Sequence, residues 1–299
     1  MRVVITGGTG FIGSILTEKL KLKGHEVIIL TRKPSSQHND VHYVQWLTDH
    51  ASPENELGHV DAFVNLAGVS IDDGRWSEER KKQIHDSRIT ATQEVLRIMR
   101  TLPKKPHVLV NASAIGIYPT SLTAEYTEDS TEIGDDFLAQ TVHDWENLAG
   151  QAKELGVRTV YTRFGIVLGK NGGALPLIKL PYQLFAGGKI GSGNQWFSWV
   201  HVEDVANAIL FSIENHDVEG PVNVVAPSPM HMNAFGKTIG KVLHRPHWFP
   251  VPSFAMEVAL GEKSIVVLQG QHVLPKKLLA HGFTFDYPSL RPALENLLK

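Results

Sequence analysis

The N-terminal half of the chain alternates short runs of β-branched and apolar residues with longer segments of helical periodicity. Six runs have the length and composition of buried strands: Val3–Thr6, Glu26–Thr31, Val41–Trp46, Ala62–Leu66, Val108–Ala112 and Thr159–Phe164. Amphipathic helices are predicted between several of them, most clearly at Phe11–Leu22, Ser77–Met99 and Asp136–Leu155. Because crossover helices have to cover both faces of a parallel sheet, this alternation predicts an α/β fold with a doubly wound parallel sheet.

The regular alternation ends near Gly169. A glycine-rich stretch at 187–193 precedes the aromatic run Trp196–Trp199. A helix is then predicted at Val202–Ile213 and a strand at Val222–Val225. From Met232 onward the pattern is mostly helical and is broken by prolines. This change predicts a sheet domain at 1–169, to which 198–227 return, and a smaller, mostly helical lobe formed by 170–197 and 228–299.

Composition narrows the classes of protein that fit. The 299 residues carry a formal net charge of −2, so a nucleic-acid partner, which normally requires a basic excess, is not expected. The absence of cysteine excludes disulfides, thiolate catalysis and cysteine-ligated metals, and the scattered histidines predict no metal site. No apolar run reaches the ~18–20 residues of a membrane helix, and a strand begins at once, so we expect a cytoplasmic protein without a membrane partner.

A glycine-rich turn joins the first predicted strand to the first predicted helix. Gly7 permits the tight turn, Gly10 lets the backbone approach a pyrophosphate, and Gly13 allows the helix to pack closely on the strand. The free N–H groups at the start of the helix, where Phe11 and Ile12 lie, attract phosphate. The turn therefore predicts a Rossmann-type dinucleotide site that includes these five residues.

The end of the second predicted strand distinguishes between the two nicotinamide cofactors. NAD sites usually place a carboxylate there, about 20 residues beyond the glycines, to hold the ribose 2′-hydroxyl. This chain has Thr31, Arg32 and Lys33 instead. Because Arg32 can pair with a 2′-phosphate and Lys33 adds a second positive charge, the sequence favours NADP(H). An ordinary surface role for Arg32 is the alternative.

These motifs, together with Asn65–Gly68 and Ser113–Tyr118, resemble the extended short-chain dehydrogenase/reductase superfamily and its NAD-dependent epimerase/dehydratase branch. Further segments resemble the atypical subgroup known as the epimerase family, which is named after nucleoside-diphosphate-sugar epimerases: Arg75-Trp76, Ser87–Ile89, Asp144–Glu146, Arg163–Leu168 and Gly191–His201. The resemblance spans nearly the whole chain, and from about Phe249 onward it is to the family's C-terminal domain of unknown function. It implies a Rossmann-like NADP(H)-binding domain followed by a substrate lobe.

The resemblance also implies roles for residues at strand ends. Leu66, Ala67 and Gly68 would line the ribose and pyrophosphate of the cofactor, and Arg88 would belong to the same site. Ser113 would lie near the nicotinamide and bond a substrate carbonyl or hydroxyl. A buried serine that bonds its own loop is the alternative.

The usual catalytic pair of the superfamily is missing. Tyr-x-x-x-Lys places both side chains on one helix face, where the lysine lowers the pKa of the tyrosine so that the phenol can transfer a proton. The corresponding stretch, 136–143, offers either Phe137 with Thr141 or Leu138 with Val142. Neither pair can perform acid–base chemistry.

Other groups are candidates for the missing role. Tyr118, five residues beyond Ser113, is the nearest phenol, and without a neighbouring lysine we expect it to act as a hydrogen-bond donor. His143 is interpreted as a surface or capping residue and Glu146 as a structural one. Ser113 and Tyr118 are therefore the predicted catalytic residues.

Two segments supply candidate substrate contacts. Arg75 can clamp a phosphate or carboxylate, and Trp76 can stack on a planar group or a sugar face. Gln195, Trp196 and Trp199 come from a glycine-rich loop that faces the cleft in the family that this chain resembles. Packing between the two lobes is the alternative explanation for aromatic residues at this density.

We therefore expect an NADP(H)-binding oxidoreductase or epimerase-like enzyme with a small-molecule substrate, for which a nucleotide sugar is one candidate. A catalytically silent NADP(H)-binding regulator or redox sensor is the alternative, because the Tyr/Lys pair is absent. A homodimer is left open.

Overall fold

The computed structural model describes all 299 residues. Its strands are β1 Arg2–Thr6, β2 Glu26–Thr31, β3 Ser36–His38, β4 Val41–Gln45, β5 Ala62–Asn65, β6 Val108–Ala114, β7 Glu125–Tyr126, β8 Arg158–Phe164, β9 Ile166–Leu168, β10 Trp196–Phe197, β11 Trp199–His201, β12 Gly220–Val224, β13 Met230–His231 and β14 His272–Val273. Its helices are α1 Phe11–Leu22, α2 Glu54–Leu57, α3 Glu78–Thr101, α4 Phe137–Gly150, α5 Leu175–Gln183, α6 Val202–Glu214, α7 Met232–Leu243, α8 Ser253–Leu260, α9 Ile265–Leu268, α10 Lys276–Ala280 and α11 Leu290–Leu298. None of these helices is both long enough and apolar enough to cross a membrane.

Eight strands form the central sheet, in the order β12-β8-β6-β5-β1-β2-β4-β3. Every neighbouring pair is parallel except β3 against β4. The strand order reverses at β1, because β2 lies on one side of it and β5 on the other. In a doubly wound sheet such a reversal leaves a crevice at the carboxyl ends of the two central strands. The predicted α/β fold with a doubly wound parallel sheet is confirmed.

Most element boundaries predicted from the sequence lie within two residues of those in the structure. The main difference is the helix predicted at Asp136–Leu155, which ends at Gly150 and continues as a 3-10 turn over Gln151–Leu155. Its start is fixed by the Asp136 carboxylate, which accepts the N–H of Ala139. The sequence pattern does not predict β3, because all of its residues are exposed and polar.

Apolar side chains fill both faces of the sheet, because successive residues of a strand point to opposite sides. Val3 and Ile5 of β1 pack in the core that includes α1 and α6, whereas Val4 packs in the core that includes α3. The segment 198–227 contributes α6 and β12 to this sheet domain, since α6 packs on α1 and β12 pairs with β8.

A separate core lies beyond the sheet, where α7 packs against α5 and α11 around the buried Trp199 and Phe235. Part of the predicted lobe belongs elsewhere. Strand β14 pairs with β7, and Leu278, Phe283 and Phe285 pack in the core that contains α1 and α6. Residues 272–285, which the sequence pattern assigns to the lobe, therefore pack on the sheet domain through these three side chains.

Asp204 is a fully buried carboxyl in α6. Its oxygens accept the N–H groups of Asp286 and Tyr287, so it joins α6 to the turn that precedes α11. Burial raises the pKa of Asp204 to about 6, although the two backbone hydrogen bonds oppose the shift.

Replacing Asp204 with Asn should remove a pH dependence of stability. A carboxyl with a raised pKa in the folded state contributes its full stabilisation below the unfolded pKa, and this stabilisation is lost as the pH rises through about 6. We expect the free energy of unfolding of the wild type to fall by about 2–3 kcal/mol relative to Asp204→Asn between pH ~4 and ~7. Urea unfolding at several pH values measures this, with the exposed Asp217→Asn as the control. If the free energy of unfolding varied with pH in the same way in all three proteins, the raised pKa of Asp204 would be contradicted.

Candidate functional site

A cavity of about 630 Å³ opens at the carboxyl edge of the sheet, where β1, β5 and β6 end. The predicted site residues that line it are Gly7, Gly10, Phe11, Ile12, Gly13, Leu66, Ala67, Gly68, Arg88, Ser113 and Trp196. The predicted site residues outside its wall are Thr31, Arg32, Lys33, Arg75, Trp76, Tyr118, Gln195 and Trp199. The structure therefore brings the glycine turn, the end of β5 and Ser113 together around one space.

Two positions in the turn between β1 and α1 have room for glycine only. A Cβ atom on Gly13 would lie 2.3 Å from the carbonyl oxygen of Gly7, and one on Gly7 would lie 2.7 Å from the carbonyl oxygen of Leu66. Gly10 precedes α1 and supplies no side-chain cap, so the first N–H groups of the helix are available to a ligand. These residues fit the phosphates of a dinucleotide.

Phe11 connects this turn to the loop that follows β9. A Cβ atom on Gly169, Gly172 or Gly173 would lie 2.3, 2.5 or 3.1 Å from the ring of Phe11. The absence of side chains at these glycines therefore lets the loop pack against the first residue of α1. The packing holds the loop beside the glycine turn, on the cavity side of the sheet.

A buried polar network fixes the strand ends beneath the cavity. Thr6 Oγ1 donates to Asn65 Oδ1 at 2.6 Å and accepts the N–H groups of the two residues after Asn65. Asn65 Nδ2 donates to Thr92 Oγ1 at 2.9 Å and to Asn111 Oδ1 at 2.7 Å. All four side chains are fully buried. The network therefore holds β1, β5, β6 and α3 in one arrangement.

Thr31, Arg32 and Lys33 lie at the rim of the site. Thr6 is opposite Leu30 in the register of β1 and β2, so these residues begin where the glycine turn begins. The side chains of Arg32 and Lys33 are exposed, and the N–H of Lys33 donates to Thr31 Oγ1 at 3.2 Å. Both cations can therefore move toward a ligand that extends past the turn.

Arg88 is the only cationic side chain in the cavity wall. Its guanidinium donates to the carbonyl oxygens of Val69 at 3.3 Å and Ile84 at 2.8 Å, and it lies 5.2 Å from the centre of the Trp145 ring. Burial lowers the pKa of Arg88 to about 10, so the side chain stays charged at neutral pH. A Cβ atom on Gly68 would lie 3.2 Å from this guanidinium.

Ser113 lies near the carboxyl end of β6 and contacts a buried ion pair. Its hydroxyl donates to Oε1 of Glu146, on α4, at 2.5 Å. Arg163 of β8 binds the same carboxylate through Nε to Oε1 and Nη2 to Oε2, each at 2.8 Å. Burial by itself lowers the pKa of Arg163, but the bonds to Glu146 outweigh it and raise the pKa. Because the Ser113 proton points to Glu146, the lone pairs of the hydroxyl are left for a ligand.

The structure does not bring Tyr118 to the cavity. Its phenol oxygen lies 2.9 Å from Asn223 Oδ1 and accepts from Arg163 at 2.7 Å, and its ring stacks on Tyr126. Burial raises the pKa of the phenol above its ordinary value, although Arg163 opposes the shift. Tyr118 reaches Ser113 only through the ion pair that Arg163 forms. Its expected position beside the substrate is therefore corrected.

Helix α4 presents apolar side chains where the usual catalytic pair would stand. Leu138 and Val142 line the cavity together with Thr141. Phe137 points elsewhere, and its ring packs edge-on against Trp76 with 5.7 Å between the ring centres. Of the two registers left open by the sequence, Leu138 with Val142 is therefore the one that faces the cavity.

Arg75 and Trp76 bind protein groups rather than the cavity. The guanidinium of Arg75 donates to the carbonyl oxygens of Val258 and Ala259, at the end of α8. Trp76 is buried, and its indole N–H donates to the carbonyl oxygen of Ile71 at 2.9 Å. The structure therefore places both side chains in contacts that hold the C-terminal segment and the loop after β5.

Only one of the three candidates from the glycine-rich loop lines the cavity. Trp196 does so, and its indole stacks on His272 with 3.9 Å between the ring centres. Gln195 is buried and donates to two backbone carbonyl oxygens. Trp199 is fully buried in the core around α7. For Trp199 the structure supports the alternative of packing between the two lobes, because the segment 198–227 returns to the sheet domain while this side chain lies in the core of the lobe. Gln195 instead bonds the backbone of the lobe itself.

The C-terminal segment supplies a wall that the sequence does not predict. Its lining residues are Ile265, Val266, Gln269, Gly270 and Gln271. A Cβ atom on Gly270 would lie 2.0 Å from the carbonyl oxygen of Trp196. The lone glycine is the only sequence signal of this close approach, because apolar residues and glutamines occur throughout the chain. The pairing of Glu146 with Arg163 is likewise not predicted, although both residues lie in segments that resemble the family, because the partners are 17 residues apart on different elements.

Comparisons with known proteins agree with this geometry. The NAD-dependent epimerase/dehydratase family model matches residues 3–226, and a domain of unknown function matches residues 251–297. The epimerase family protein YfhF of Bacillus subtilis is 50% identical over 299 residues, which cover 100% of this chain and 98% of that protein. The epimerase family protein SAR0825 of Staphylococcus aureus is 44% identical over 299 residues, covering 99% of this chain and 98% of that protein.

A solved structure is similar along the whole chain. The human epimerase family protein SDR39U1 (isoform 2), crystallised with NADPH, has a TM-score of 0.88 and 37% sequence identity. The similarity covers 99% of this chain and 99% of that one. The resemblance identified from the sequence motifs is therefore confirmed.

Removing the carboxylate of Glu146 should destabilise the fold strongly. Glu146→Ala leaves the buried Arg163 without its counter-charge, which we expect to lower the free energy of unfolding by about 3–5 kcal/mol. The matched control is Glu94→Ala, which removes one partner of the more exposed Arg97 and should cost about 0–1 kcal/mol. Denaturant unfolding followed by tryptophan fluorescence measures both. Equal losses would contradict the role of burial at Glu146.

Proposed function

The chain belongs to the NAD-dependent epimerase/dehydratase family, and from this premise we propose that it is an NADP(H)-binding enzyme that oxidises, reduces or epimerises a small molecule beside Ser113. The observation that carries the proposal is the single cavity that joins the glycine turn to Ser113. One end has the tight turn and free helix N–H groups that a pyrophosphate requires. The other end has a hydroxyl held in a defined orientation.

The cofactor would be held at the end of the sheet where β1, β2 and β5 meet. Gly7, Gly10 and Gly13 would contact the pyrophosphate, and Arg88 would add a positive charge to the same wall. Arg32, at the rim beside the turn, would pair with a 2′-phosphate, with Lys33 as a second cation. NADPH in the similar human protein supports this preference. When bound, the nicotinamide supplies hydride transfer.

Ser113 would orient the reacting oxygen of the substrate and pass its proton. When an alcohol is oxidised, its O–H proton moves to Ser113 Oγ as the Ser113 proton moves to Glu146 Oε1, and reduction of a carbonyl reverses both transfers. The 2.5 Å contact between these two oxygens supports the relay. Leu138 and Val142 would exclude water from the reacting atoms.

Tyr118 would act as a positioning residue. Its hydroxyl bonds Arg163, which in turn fixes the Glu146 carboxylate under Ser113. The phenol is buried and has a raised pKa, so it keeps its proton near neutral pH.

A second function, an NADP(H)-binding regulator or redox sensor without chemistry, is favoured by one observation. The helix face that carries Tyr and Lys in working members of the superfamily carries Leu138 and Val142 here. A sensor would bind the cofactor and turn over no substrate.

The cofactor preference can be tested at Arg32. Loss of a charge-assisted bond to the 2′-phosphate in Arg32→Ala should weaken NADPH binding about ten- to a hundredfold and leave NADH binding unchanged. Titration followed by tryptophan fluorescence measures both affinities. The control is Arg291→Ala, an exposed arginine on α11. If Arg32→Ala kept the full preference of the wild type for NADPH over NADH, the assignment of Arg32 to the 2′-phosphate would be overturned.

The chemical role of Ser113 can be tested once a screen of carbonyl and alcohol compounds, with product analysis, has given a substrate. Ser113→Ala should lower the rate about 10²–10³-fold, because the reacting oxygen loses its partner. Tyr118→Phe should lower it less, and Ser212→Ala, which removes another buried hydroxyl, should leave it unchanged. Equal turnover in wild type and Ser113→Ala would show that the relay is wrong. Saturable NADPH binding with no turnover across the screen would favour the sensor.

A further inference from the structure

The substrate end of the cavity lacks positive charge. The substrate end is the part of the cavity wall formed by Ser113, Ile115, Leu138, Thr141, Val142, Trp196, Ile265, Val266, Gln269 and Gln271. All of these side chains are neutral, and about half are aliphatic or aromatic. The only charged side chains in the whole cavity wall are Arg88, Asp72 and Asp136. Arg88 already donates to two backbone carbonyl oxygens beside the cofactor end.

Three cations on the loop after β5, on α3 and on the C-terminal segment are held by other protein groups. Arg75 binds the carbonyl oxygens that end α8. Lys81 lies between Glu78 and Glu262, at 2.5 and 2.8 Å from their carboxylates. Lys263 lies 3.7 Å from a carboxylate oxygen of Asp72. These contacts join the loop after β5 and the start of α3 to the C-terminal segment, so a ligand would have to break them to recruit a cation.

The N-termini of α1, α4 and α5 border the cavity. That of α5 follows Ala174 without a side-chain cap, and it comes after the loop that packs on Phe11, so it lies toward the cofactor end. The N-terminus of α1 faces the glycine turn and serves the pyrophosphate of the cofactor. The N-terminus of α4, which also borders the cavity, is capped by the carboxylate of Asp136, which accepts the N–H of Ala139 at 2.9 Å. A negative charge already occupies the position that a substrate phosphate would take.

From these contacts we infer that the substrate is an uncharged, largely apolar carbonyl compound or alcohol, and that a nucleoside-diphosphate sugar does not bind. The inference rests on the proposed function and names its substrate class. A pyrophosphate that moved from water to the substrate end would lose its hydration without forming an ion pair with a cation of the protein. An uncharged molecule loses little on entry and gains contacts with Leu138, Val142 and Ile265. An alcohol would donate its O–H proton to Ser113 Oγ, and a carbonyl oxygen would accept from the Ser113 hydroxyl when Glu146 carries the relay proton.

A pair of aldehydes that differ in charge tests the inference. The NADPH-saturated protein is titrated with 4-nitrobenzaldehyde, with 4-carboxybenzaldehyde and with UDP-glucose, and binding is followed by saturation-transfer NMR. We expect the neutral aldehyde to bind about tenfold or more tightly than the carboxylate, and UDP-glucose to show no saturable binding at millimolar concentration. Equal affinity for the two aldehydes, absence of binding by the neutral one, or saturable binding of UDP-glucose would each overturn the inference.

A gain of charge at Gln269 shows whether binding occurs at this wall. Gln269 is exposed, so Gln269→Lys should fold, and it should raise the affinity for 4-carboxybenzaldehyde relative to that for the neutral aldehyde about threefold or more. Gln269→Met is the matched control of similar length without charge. If the lysine variant did not favour the carboxylate over the methionine variant, the site assignment would be wrong.

The same assay separates this inference from the proposed function. Binding of the neutral aldehyde, together with no turnover of any compound in the substrate screen, keeps the inference about the cavity and favours the sensor over the enzyme. Turnover of UDP-glucose by the protein saturated with NADP⁺ keeps the enzyme and removes the inference.

Discussion

The buried amide of Asn65 is the interaction on which the candidate site depends. It bonds Thr6 of β1, Asn111 of β6 and Thr92 of α3, and all of these side chains are inaccessible to solvent. An unpaired buried polar group costs about 1–3 kcal/mol, so the strand ends and the helix are stable only in the arrangement that satisfies the network. That arrangement brings the glycine turn against the carbonyl oxygen of Leu66 and leaves the crevice where a dinucleotide fits.

A second buried polar contact organises the other half of the cavity. Helix α4 faces the space with Leu138 and Val142, and one turn further along it places Glu146 under Ser113. Arg163 stabilises the buried carboxylate, because its guanidinium carries the opposite charge and donates a hydrogen bond to each oxygen. The carboxylate of Glu146 therefore lies beneath the wall of the cavity rather than in it.

The C-terminal segment completes the structure by returning to the sheet domain. Strand β14 pairs with β7, and α10 packs against β12, which carries residues 265–271 across the opening of the cavity. The ion pairs formed by Lys81 and Lys263 fasten this segment to the N-terminal domain. The same contacts therefore neutralise Lys81 and Lys263 with carboxylates of the protein.

Local sequence determined the framework of this protein. Strand runs, helical periods and the turn at Gly7–Gly13 predict the parallel sheet and the dinucleotide edge, because they depend on alternation, capping and the steric freedom of glycine between near neighbours. The tertiary structure alone decided which polar residues face the cavity. Tyr118 is only five residues beyond Ser113 in sequence, yet it points into a buried network, whereas Glu146 and Gln269 reach the site from distant elements. Trp199 and Arg75 looked like substrate contacts but are satisfied by the core and by the end of α8. Their partners lie tens to hundreds of residues away, so no local pattern could specify those contacts, and only the packing of the sheet domain against the C-terminal segment fixed them.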